Sequence, residues 1–174
     1  MKAPESALTQ YDRLYRQTIG AVLAYFARRS SDPQIVANLT SETFERAAGA
    51  FHDFDTRKCS ARARLFGIAA EVDALHTGPP SQGSQAAVPA VPVALEGSEV
   101  AELTAKIDAE RTGRELLARC GRLSPLDRRA IELVDLVGLM PEEAAAALGV
   151  YTAVLRIRLA RARSRLVEEN QSDG

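Results

Sequence analysis

The chain has 174 residues, with 22 Lys and Arg against 23 Asp and Glu, a formal net charge of -1. That balance excludes a protein that coats nucleic acid nonspecifically, so any DNA contact must be local and helped by a partner. Few aromatics, no Trp and an abundance of Ala, Leu and Arg point to an all-α protein of one large or two small domains.

In chain order, Tyr11 to Arg29 repeats apolar residues at Leu14, Tyr15, Val22, Tyr25 and Phe26, an amphipathic helix ending in a basic pair. Asp32 followed by Pro33 is a cap and first-turn signal for a second helix, or a broken pair, carrying Val36, Leu39, Phe44, Ala47 and Phe51. Ser60 caps a third, with Leu65, Ile68, Ala69, Val72 and Leu75 as its buried stripe. These helices suffice for a small bundle over residues 1–76. Thr77 to Ser98 then holds four prolines, three glycines and one charged residue, which predicts a flexible linker. The second domain, 99–174, opens with a helix from Ser98 that presents Val100, Leu103 and Ile107 to one side and runs toward Cys120. Ser124 and Pro125 cap the next helix, with Leu126, Ala130, Ile131, Leu133 and Val134 as its stripe, ending at Gly138.

The stretch from Gly138 to Leu166 carries the most information. Pro141 is free at a first helical position and Gly149 suits a left-handed end, so a short helix is followed by a tight turn and a second helix from Tyr151 or Thr152. Leu155, Leu159, Ala162 and Leu166 form the second helix's apolar stripe. Arg156 and Arg163 flank the stripe on one edge, and Arg158, Arg165 and, farther round, Arg161 lie on the other. This is a helix-turn-helix whose guanidinium rails suit phosphates on both walls of a major groove. Tyr151, Thr152, Arg156, Arg158, Arg161 and Arg163 are its candidate DNA contacts.

The whole resembles the extracytoplasmic-function (ECF) sigma factors of bacterial RNA polymerase. The matching strings are LTSETFERA at Leu39 to Ala47, FD at Phe54 and Asp55, ARARLFGIA at Ala61 to Ala69, RLSPLDRRAIELVDLVGL at Arg122 to Leu139 and LARARSRL at Leu159 to Leu166. Each is weak alone, and their order and spacing are specific together. The resemblance implies two helical domains, the first docking on a coiled coil of core polymerase and melting the -10 element, the second reading the -35 element. It assigns polymerase binding to Leu39, Thr40, Glu42, Thr43 and Phe44, and -10 contacts to the helix of Arg62 and Arg64. Core polymerase and promoter DNA are the implied partners, with an anti-sigma factor as a third.

The sequence departs from the family pattern where DNA is touched. Arg64 stands in place of Trp, Ala70 and Glu71 in place of a basic residue and Asn, Met140 in place of a Ser or Thr cap, and Val154 and Ile157 in place of Thr and Ser. An acid at Glu71 repels phosphate, and the base-reading face of the last helix turns apolar. Two readings therefore stay open: a sigma factor with unusual promoter preference, and a sigma-like protein that keeps the fold and binds a protein partner without specific promoter recognition.

Other classes have little support. Cys59 and Cys120 fall in no CxxC pattern, and a half metal site at His52 and Cys59 is disfavoured, so neither zinc nor a disulfide framework is expected. No phosphate loop, catalytic carboxylate pair or nucleophile with a His partner occurs, and Glu142 and Glu143 read as first-turn acids. No cofactor, small-molecule substrate or catalysis is expected. Without a signal peptide or an apolar run of membrane length, the expected location is cytoplasmic.

Overall fold

A computed structural model describes residues 6–51, 59–77 and 92–172, the last four by backbone alone. Most of the linker, together with His52, Phe54 and Asp55, lies outside the described residues. Within them the fold is all-α, without a strand. Helix α1 (Ala7–Ala27) is capped by Ser6, whose Oγ accepts from the Thr9 amide. Helix α2 (Pro33–Ala50) is one unbroken helix, started by Asp32 accepting from the Gln34 and Ile35 amides. Helix α3 (Ala61–Thr77) begins on Ser60, which accepts from the Ala63 amide.

The second half differs from expectation at its start. Helix α4 (Gly97–Ala109) is set by Glu99 reaching back to the Glu96 amide, so Ser98 lies inside the helix and the end of the expected linker is already helical. The helix does not run on to Cys120. It breaks at Glu110, resumes as α5 (Arg111–Arg119) and closes in a 3-10 turn at Cys120–Arg122. Helix α6 (Pro125–Ile131), capped by Ser124, passes into a π-helical turn at Glu132–Leu136 and stops at Gly138, whose φ of 76° favours glycine. Helices α7 (Pro141–Leu148) and α8 (Thr152–Ser172) complete the chain.

Helices α1 to α3 bury Val22, Tyr25, Phe26, Val36, Phe66 and Val72; Tyr15 and Leu75, expected inside, and Val100 of α4 are exposed. Tyr15 still meets the edge of Phe44, with ring centroids 4.8 Å apart. In the second half, Ile131, Leu133, Leu155 and Leu159 fill the centre. The buried residues of the two halves form one continuous apolar cluster, because α4 packs on α1 and α2 while α7 packs on α3. At the α3–α7 contact the backbones nearly touch: a Cβ built on Gly67 would lie 3.2 Å from the carbonyl oxygen of Ala147.

Ion pairs close the seam at the end of α1. Arg29 makes a bidentate pair with Glu132, whose side chain is 1% exposed, and meets Asp73 at 3.0 Å. The Arg29 guanidinium also lies 3.6 Å from the Tyr25 ring centroid, a favourable cation–π position. Arg28, 4% exposed, donates to Glu110 at 2.8 Å and has its Nε 3.6 Å from Glu132. The location suits cations, since a helix C-terminus presents unpaired carbonyls and a negative dipole end. Arg114 takes the Ala27 carbonyl at 3.1 Å.

Candidate nucleic-acid interface

The helix-turn-helix forms as its sequence dictates. Gly149 is left-handed at φ 67°, the Val150 amide donates to Ala145 O and the Gly149 amide to Ala146 O, the paired bonds of a Schellman ending. At the other end of α7, Met140 supplies no side-chain cap. Glu143 compensates in part by accepting from the Met140 amide at 3.1 Å, and its other oxygen accepts from Ser60 Oγ of the first half at 2.6 Å. One carboxylate thus serves the helix start and the seam.

Helix α8 buries Leu155, Leu159, Ala162 and Leu166 against the rest of its half. Tyr151, immediately before it, is 84% exposed, and its carbonyl accepts from the Leu155 amide. Thr152 begins the helix, half-buried. On the outer face, Val154 and Ile157 are exposed beside Arg158, Arg161 and Arg165, around a hollow of about 330 Å³.

The two arginine rails are less available than expected. Arg156 pairs with Glu142, Arg158 with Asp127 at 2.9 Å, and Arg163 with Asp135 through two hydrogen bonds. Burial acts against the Asp127 carboxylate, yet hydrogen bonds from Ser124 and Arg158 and the nearby Arg158 and Arg165 charges hold its pKa below the ordinary aspartate value. Arg161 and Arg165 make no ion pair within 4 Å among the described residues, although the Arg165 charge is felt at Asp127, and Arg165 was not among the expected contacts.

In the first half, Arg62 donates to the Val137 carbonyl at 2.8 Å, satisfying a group left over at the end of the π turn, so it holds the seam rather than facing solvent. Arg64 and Glu71 are exposed, whereas Ala70 is buried. Helix α3, which the sequence pointed to for the -10 strand, therefore has one side covered by α7.

The five expected polymerase contacts are all buried. Leu39 and Phe44 are core, with Phe44 O accepting from Tyr11. Thr43 Oγ1 donates to Leu39 O, and Glu42 pairs with Arg46 and with His76 at 2.8 Å. The Thr40 hydroxyl is buried without a hydrogen-bond partner. In the closed arrangement α2 is packed by α1, α3 and α4 together. Exposed Glu45 and half-buried Ser41, hydrogen-bonded at 3.0 Å, are what that part of α2 offers a partner.

Sequence reasoning missed the strap that precedes α4. Val93 donates its amide to Asn38 Oδ1 at 2.9 Å and accepts from Gln34 Nε2 at 2.7 Å, tying the chain to the start of α2. It also missed Arg28, Arg29 and Glu132 as a seam; the doublet at 28–29 was its only trace in the sequence.

Comparison with known proteins follows the same lines. The chain is 32% identical to the "Probable RNA polymerase sigma-C factor" of Mycobacterium bovis over 173 residues, covering 96% of the chain and 85% of that protein. The "ECF RNA polymerase sigma factor SigC" of Mycobacterium tuberculosis matches to the same extent. Among solved structures, CnrH in complex with the cytosolic domain of CnrY superposes with a TM-score of 0.60 at 25% identity, covering 94% of this chain and 89% of that one. No protein-family model matches.

Proposed function

Because the chain belongs to the ECF sigma factors of RNA polymerase, we propose that its first half binds core polymerase and its second half carries the enzyme to a promoter. The observation that carries this reading is the outer face of α8, where exposed Val154 and Ile157 stand beside the guanidiniums of Arg161 and Arg165. Such a face grips phosphates with two charges and meets bases with apolar side chains, which suits thymine methyl groups better than hydrogen-bonding edges.

In the closed arrangement α7 covers part of α3, and α4 lies over α1 and α2. Polymerase binding and -10 melting through these helices require the halves to separate and act as two modules on a linker, in the cytoplasm where the polymerase works. An anti-sigma factor would act by holding the halves together. The controlling experiment is transcription from a library of genomic promoter fragments by core polymerase and the purified chain. Starts that depend on the chain and weaken with Ile157→Ser and Arg161→Ala are the expected result. Capture of polymerase with no start at any promoter would leave the other reading, a sigma-like protein that binds a partner without promoter recognition.

A further inference from the structure

Behind the seam, α1, α3, α5 and α6 enclose a cleft of about 400 Å³ with five arginines on its walls, Arg28, Arg29, Arg114, Arg128 and Arg129, against two acids, Asp73 and Glu132. Both acids are engaged by Arg29, and Arg28 is balanced by Glu110 outside the lining. Arg114 donates only to backbone carbonyls, those of Ala27 and Ile107, and no carboxylate lies within ion-pairing reach of Arg128 or Arg129 among the described residues. With Glu110 included, five guanidinium charges stand against three carboxylates, an excess of two positive charges, and Arg114, Arg128 and Arg129 lie outside the ion pairs among the described residues.

We propose that this cleft is a binding site for a phosphorylated small molecule, with Arg114, Arg128 and Arg129 as ligands of a di- or triphosphate group. Guanidinium forks match phosphate oxygens in pairs, and an excess of two positive charges matches a polyphosphate better than a single carboxylate. Leu117, Ala118 and Pro125 add an apolar wall suited to the organic part of a nucleotide. The volume falls in the range of small-molecule pockets, whereas a duplex, with a major groove alone about 12 Å wide, is too bulky to enter it. Since the walls come from both halves, occupancy favours the closed arrangement.

The test uses the purified full chain with inorganic tripolyphosphate and ATP, by calorimetry at roughly 0.15 M salt. Saturable binding is expected, weakened about tenfold or more in Arg128→Ala/Arg129→Ala through loss of charge-assisted hydrogen bonds. It should be unchanged in Arg161→Ala/Arg165→Ala, which removes two cations of α8 outside the cleft. ATP binding tighter than tripolyphosphate identifies a nucleotide ligand, and equal affinity identifies the polyphosphate group alone; either supports the site. If the double variant fails to fold, Arg128→Glu at an exposed position serves in its place. The proposal is overturned by no saturation at millimolar probe, by an equal loss in the α8 variant, or by duplex DNA binding that falls as steeply as tripolyphosphate binding in Arg128→Ala/Arg129→Ala.

Discussion

Replacing Glu132 by Gln keeps the shape of a side chain that is 1% exposed and removes the charge shared by Arg28 and Arg29. Breaking a buried ion pair from one side costs about 3–5 kcal/mol, because the remaining charge stays buried without its partner. Here the lower end applies: Arg29 keeps Asp73 at 3.0 Å and Arg28 keeps Glu110 at 2.8 Å. A loss of about 3 kcal/mol is roughly a hundredfold in an equilibrium constant. The equilibrium it shifts is closure of the seam, since separated halves return both arginines to water while each half keeps its own core. Energy transfer between dyes at exposed Ala48 and Ser164 should fall in Glu132→Gln, and an apolar pair, Arg29→Met with Glu132→Leu, should recover much of it. A fall in the urea midpoint without any change in transfer would refute the reasoning, placing Glu132 in the stability of the second half alone. Unchanged transfer and unchanged midpoint would refute it as well.

Three further outcomes follow from the recognition helix. Arg161→Ala and Arg165→Ala should each lower the slope of log affinity for DNA against log salt by about 0.9, and Arg156→Ala and Arg163→Ala by less, since both are held by acids; fluorescence anisotropy over a salt series measures this, and equal slopes for all four would count against it. Ile157→Ser should cost about 1 kcal/mol at thymine-containing sites through lost apolar burial and change the preferred bases, as selection from random duplexes would reveal; an identical selected motif would argue that Ile157 meets no base. The Asp127 carboxylate has a lowered folded-state pKa, so its stabilisation is complete above about pH 4, the ordinary aspartate range, and is lost as pH falls through the lowered value. Asp127→Asn should flatten that acid limb of stability against pH, and an unaltered limb would exclude the contribution.

Local signals were legible in the sequence wherever a residue acts on its immediate neighbours. Asp32–Pro33, Ser60, Ser124–Pro125 and Gly149 each mark an observed boundary, because caps and left-handed turns are settled within a few residues. Ser98 misled for the same reason: it is a good cap by type, but Glu99 reaching back to Glu96 fixes the start. The π turn after Ile131 has no signature of its own in the sequence; its first residue, Glu132, is held across the seam by Arg28 and Arg29. The family strings fall on helices of the fold but carry no information on which side of each helix is covered. Leu39, Thr40, Glu42, Thr43 and Phe44 are buried in the closed arrangement, which depends on contacts with other helices that a local string does not encode. Likewise, a row of arginines on α8 does not reveal that acids on α6, the π turn and α7 take up three of them.

The α3–α7 contact has a one-sided character. The backbone at Ala147 lies against Gly67, so at this point of closest approach both positions already carry near the smallest side chain available. Random substitution can add volume to this contact but can scarcely remove it. Added volume in a close-packed contact forces the partners apart, which makes changes at this seam release the halves far more often than tighten them. Closure is then the state that selection must actively maintain, and a screen for unprovoked activity should find its gain-of-function variants clustered at Gly67 and Ala147.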